Sequence, residues 1–146
     1  ALPMLGRVGF HNVIGYVKGG VTAWKAAGKK TDMIIDVNVD ELAIDLPFDK
    51  KIAVIDVRNE TEFEAGHVKG AKLLPLEKLS DPLVMAQVDD SKNMYVHCAG
   101  GYRSVVACSL MKRQGFTNLR NVLGGWGKMK EDSNLPLVLP NTRAIR

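Results

Sequence analysis

NMYVHCAGGYRSVVACSLMKRQG, Asn93 to Gly115, is the stretch on which the reading of the fold turns. It opens as a short apolar and β-branched run that stops at Cys98, crosses a loop with two glycines, and continues with Val105, Val106, Cys108, Leu110 and Met111 at helical spacing. Gly115 closes it as the residue just past a helix end, where glycine accepts the left-handed conformation. Strand, tight loop and helix in that order form part of a parallel α/β unit. Working outward, KIAVIDV (Lys51 to Val57) is a second run of the buried parallel-strand type. NETEFEAG begins with Asn59 as an N-cap, has Glu62 at the capping-box position and stops at Gly66. NLRNVLGG (Asn118 to Gly125) reads as another strand and turn. The expectation is an α/β fold, a parallel sheet with helices on both faces, binding its ligand at the carboxyl ends of the strands. Cys98 stands at such an end.

A cysteine between a strand and a helix start sees converging backbone N–H groups and the positive end of a helix dipole, and both favour the thiolate. Arg103 adds a cation, and Gly100 and Gly101 let the chain curl around the sulfur. The alternative is that Cys98 is a small buried hydrophobe; the flanking glycines and arginine favour an anion cradle with a nucleophile at its base. His97 alternates to the other side of the strand and is read as structural, with tuning of the thiol as a lesser role. Cys108 falls on the apolar helix face and is read as core packing instead of a resolving thiol. His11, His67 and His97 are too dispersed for a metal site, His67 is expected to bond local backbone, and no cofactor is called for.

At 146 residues and 46% hydrophobic, the chain can bury a core of one ordinary domain. Two cysteines ten apart on different elements make a disulfide framework improbable and point to a reducing, cytoplasmic setting. The net charge of +4 is scattered, which argues against nucleic acid and suits small anions. No apolar run reaches the length of about 18 residues that a membrane span needs, and no signal peptide opens the chain. The first residue is not methionine, which suggests a piece of a longer or processed chain.

GFHNVIGYVKGGVTAW (Gly9 to Trp24) echoes GFTNLRNVLGGWGKMK (Gly115 to Lys130) with a single gap. Convergence on a common helix-end, strand, turn and helix pattern would explain this, but duplication explains it better. The expected organisation is then residues 1–30 as the end of an upstream repeat, 31–136 as a complete domain and 137–146 as a tail. Trp24 and Trp126 are expected in the core.

With both motifs in view, a family resemblance appears. DVRNETEFEAGHVKGAKLLPL (Asp56 to Leu76) resembles the rhodanese signature, and HCAGGYRS resembles the rhodanese active-site loop. The likeness extends from about Val37 to Leu135, with Lys69 standing where many rhodaneses have proline. It implies a five-stranded parallel sheet and a catalytic Cys98. That residue would take sulfane sulfur from a small anionic donor, thiosulfate or a low-molecular-weight persulfide, and pass it to cyanide or another thiol. It further implies an active-site loop of Ala99, Gly100, Gly101, Tyr102, Arg103 and Ser104, supported from behind by Asp56 and Arg58. Rhodanese-like domains also occur as non-catalytic binding modules, which typically lack the cysteine. Related cysteine-dependent phosphatases place five residues between Cys and Arg where this loop has four. The opening segment resembles the end of an inactive rhodanese repeat in bacterial fusions with a metallo-β-lactamase-like domain, so such a domain is expected upstream.

Overall fold

The computed structural model describes residues 2–140 and divides the chain between Met33 and Ile34 into two compact units. The first holds two short helices, α1 (Leu2–Arg7) and α2 (Gly20–Ala26), with no strand between them among the described residues. Trp24 departs from its expected core position: it is 42% exposed, and its indole N–H donates to the Lys30 carbonyl at 2.9 Å.

The second unit is built on a sheet of five strands: β1 (Ile35–Val37), β2 (Ile52–Asp56), β4 (Lys72–Leu73), β5 (Asn93–His97) and β6 (Leu119–Val122). Their spatial order is β1-β6-β5-β2-β4 and every pairing is parallel. β5 is central, with Asp56 of β2 beside His97 in the register. Both faces of β5 are covered, so Met94, Tyr95, Val96 and His97 are all buried, as a parallel sheet between helices requires. On one face Tyr95, Val54 and Val122 pack with Leu42 and Ala43 of α3 (Val39–Asp45) and Met129 of α7 (Gly125–Met129). On the other, α6 (Tyr102–Arg113) packs on β5 and β6. Its buried face is Ser104, Ala107, Cys108 and Met111; Val105, expected inside, is 40% exposed because the helix is rotated to aim Ser104 at the strand end.

The capping box forms as read: the Asn59 side chain accepts from Glu62 N–H at 2.8 Å, and Glu62 Oε2 accepts from Asn59 N–H at 3.1 Å, starting α4 (Glu60–Glu64). A 3₁₀ turn (Leu76–Lys78) and α5 (Pro82–Met85) complete the crossover to β5. Two residues of the expected tail, Leu137 and Val138, are instead strand β7, antiparallel to β3 (His67–Val68). They satisfy backbone that β3 leaves open; residues 141–146 lie outside the described residues.

Candidate active site

Three strands of the sheet deliver the site. Cys98 follows the central strand, Asp56 ends its neighbour β2, and Val122 ends β6 just before the paired glycines Gly124 and Gly125. The chain turns sharply after Cys98, with Gly101 at φ 109° as the N-cap of α6. That left-handed turn points the Gly101 N–H at Cys98 Sγ, 3.1 Å away. The thiol in turn donates to Ser104 Oγ at 3.5 Å, and the Ser104 hydroxyl donates to the Gly101 carbonyl at 3.1 Å. Burial pushes the Cys98 pKa up. Hydrogen bonding from the Ser104 side chain and from the backbone of Ser104, Gly101 and Gly100 outweighs it, leaving the thiol below its ordinary value. Cys98 is only 1% exposed, so a reagent must enter the cradle to reach the sulfur. Cys108, one helical turn below Ser104, is the contrasting case: burial pushes its thiol up to about 12, consistent with packing.

The helix start of α7 closes the loop from behind. Trp126 N–H donates to the Cys98 carbonyl at 2.7 Å and Gly127 N–H to the Ala99 carbonyl at 2.9 Å. This contact explains Gly125, because a Cβ there would stand 2.3 Å from the Cys98 carbonyl oxygen. The paired glycines look in the sequence like a turn and a repeat marker; their role against the loop emerges only from the approach of two segments far apart in the chain.

Asp56 and Arg58 form a buried pair behind this arrangement, with the Arg58 Nη2 to Asp56 Oδ2 distance at 2.6 Å and exposures of 2% and 0%. Arg58 also donates to the Gly66 carbonyl at 2.7 Å and lies 4.8 Å over the Trp126 ring. The pair therefore touches the residue whose backbone holds the Cys98 carbonyl. His97 is fully buried; burial lowers its pKa against the pull of Asp56, so the ring is neutral, with Nδ1 3.2 Å from the Cys98 carbonyl and Nε2 3.5 Å from Asp56 Oδ2. His67 meets the Phe63 carbonyl through Nδ1 at 2.8 Å and stacks on the Phe63 ring.

Arg103, the cation expected beside the sulfur, has a partner that the sequence does not name. Its Nη1 and Nη2 both donate to Glu62, each at 2.8 Å, with the two side chains about one-third exposed at the rim. Glu62 thus serves two ends, capping α4 and holding the loop arginine, and only the first is visible in its local spacing. Among the described residues no group of three His, Cys, Asp or Glu side chains converges in a way that could hold a metal ion.

The family model described as rhodanese-like domain matches residues 38–132. The tRNA uridine(34) hydroxylase of Yersinia pestis is 34% identical over 90 residues, which span 57% of this chain and 25% of that protein. YqhL of Bacillus subtilis is 35% identical over 79 residues, 54% of this chain and 61% of that protein. The chain thus spans about a quarter of the hydroxylase and less than two-thirds of YqhL. Among solved structures, a rhodanese-like domain protein from Staphylococcus aureus superposes with a TM-score of 0.63 at 28% identity, covering 74% of this chain and 100% of that one.

Proposed function

The chain belongs to the rhodanese-like domain family, and from that premise we propose that it is a sulfurtransferase working through a persulfide on Cys98. The observation that carries this reading is the 3.1 Å approach of the Gly101 N–H to Cys98 Sγ, with Ser104 Oγ 3.5 Å from the same sulfur and able to turn its proton from the Gly101 carbonyl onto a thiolate. Donors placed around a sulfur stabilise a thiolate before transfer and the outer sulfur of a persulfide after it. In the first step the thiolate attacks the outer sulfur of thiosulfate. The S–S bond of the donor breaks, sulfite leaves, and Cys98 carries an anionic persulfide. In the second step cyanide or an acceptor thiolate takes that outer sulfur and the Cys98 thiolate returns. No general base is needed, which agrees with His97 being sealed behind the strand.

Of the other readings, a phosphatase needs a wider cradle than four residues between Cys98 and Arg103 supply, and a purely binding module has no use for a stabilised thiolate. The hydroxylase relatives act as their name says, and what this chain shares with them is an aligned stretch of 90 residues. Residues 1–30 are read as the end of an upstream repeat, and a metallo-β-lactamase-like domain before it is the fusion partner this reading favours. Support comes from the matched backbone of the two Gly-Gly turns, where Gly19 and Gly124 adopt φ 84° and 79°.

Incubation with thiosulfate is expected to add the mass of one sulfur to the intact protein, and Cys98→Ser to abolish the adduct. An unmodified parent protein after exposure to both thiosulfate and glutathione persulfide would defeat the proposal.

A further inference from the structure

Resting on the sulfurtransferase reading, we propose that Glu62 sets donor preference at Cys98, turning the site from the thiosulfate dianion toward alkyl persulfides. From Cys98 to Ser104 the sole charged side chain is Arg103, and Ala99, Gly100, Gly101 and Tyr102 add no charge. Both terminal nitrogens of Arg103 are already bound to Glu62 in a two-pronged pair. The nearby Arg58 is buried and committed to Asp56 and the Gly66 carbonyl. At the rim, then, Arg103 and Glu62 cancel, and the Cys98 thiolate leaves the mouth with one net negative charge.

Glu62 cannot swing aside freely. Its Oε2 also accepts from Asn59 N–H, and its own backbone N–H is held by Asn59, so releasing Arg103 while moving Glu62 breaks the start of α4. The arginine lowers the Glu62 pKa to about 2, so the carboxylate stays charged across the neutral range. A dianion approaching this mouth meets like charge and a cation already taken. An alkyl persulfide RSSH brings a neutral or singly charged sulfur end. The thiolate attacks its outer sulfur, the S–S bond breaks, and the departing thiolate takes up the proton that the outer sulfur gives up. Cys98 then holds the same anionic persulfide.

The test is Glu62→Gln, with cyanide as common acceptor and thiosulfate or 2-hydroxyethyl persulfide, whose charge is confined to its sulfur end, as donor. The ratio of kcat/KM for thiosulfate to that for the persulfide is expected to rise on the order of tenfold, the scale of one unmasked charge near a protein surface. Asn59→Ala removes the same helix cap but keeps the carboxylate, and should leave the ratio at the parent value. Adding Arg103→Ala to Glu62→Gln should erase the gain for thiosulfate. If Glu62→Gln does not fold, Glu62→Ser is read the same way. A folded variant with the parent ratio, or an equal shift in Asn59→Ala, overturns the inference while leaving sulfur transfer standing. A parent protein that accepts sulfur from neither donor removes both.

Discussion

Gly9 and Gly115 each follow a helix in the left-handed region, at φ 90° and 101°. The hydrogen bonds around them match: Phe10 N–H reaches the Leu5 carbonyl at 2.9 Å, and Phe116 N–H reaches the Met111 carbonyl at 3.2 Å. Further on, Gly19 and Gly124 begin α2 and α7, each with its carbonyl 3.4 Å from the N–H four residues later. Between these matched ends the two segments part company. Leu119 to Val122 is a strand paired on both sides, whereas the residues from Asn12 to Val17 pair with nothing as strand. Val122 is fully buried, while Ile14 is 95% exposed and Tyr16 89%. Counted from the glycines, Trp24 stands where Met129 does, and only Met129 is buried. The contrast separates two kinds of instruction. Helix ends and glycine turns are satisfied within a few residues, whereas a strand exists only where neighbours supply the other half of its hydrogen bonds.

The largest effect expected from this comparison is at the second glycine of each turn. Gly125→Ala would drive a Cβ into the Cys98 and Ala99 carbonyls, whereas a Cβ on Gly20 meets nothing within 4 Å. Gly125→Ala should cost about 3 kcal/mol or more and abolish sulfur loading. Gly20→Ala should cost only the left-handed backbone strain, about 1–2 kcal/mol, confined to α2. Denaturant unfolding beside hydrogen exchange reads both; similar global losses would break the comparison.

A smaller difference is expected between the strand positions. Val122→Ala should lose about 2 kcal/mol of stability by urea unfolding. Ile14→Ala should stay within about 0.5 kcal/mol, the range of surface changes. A large loss at Ile14 would mean that this segment is packed in the working protein.

The finest distinction concerns the cradle, which has no counterpart in the first unit. Iodoacetamide reactivity at Cys98 should rise with pH through a midpoint below that of an ordinary thiol, because the thiolate is the reacting form and its pKa is lowered. Ser104→Ala should raise that midpoint, because it removes the side-chain hydrogen bond that lowers the Cys98 pKa, while Cys108 stays unlabelled at neutral pH. A midpoint unmoved by Ser104→Ala would leave the backbone N–H groups as the whole cradle.

Much of the site was legible because its parts are contiguous. Cys98, the glycines after it and Ser104 lie within one turn of chain, and the Asn59 to Glu62 cap is a three-residue signal. Long-range partnerships were not legible. The partner of Arg103 is Glu62, 41 positions earlier, and nothing local to either residue announces the pairing. Arg58 meets the Trp126 ring only after both strand ends converge.

The amino-acid order alone determined the alternation of strands and helices, the left-handed glycines and the cysteine at a strand end, since each depends on backbone sterics and neighbouring side chains. The tertiary structure decided which carboxylate neutralises Arg103, which N–H groups hold the Cys98 carbonyl, and that one of two similar segments becomes a strand. Those outcomes require groups distant in sequence to meet, and hydrogen bonds, ion pairs and buried contacts act only over a few ångströms.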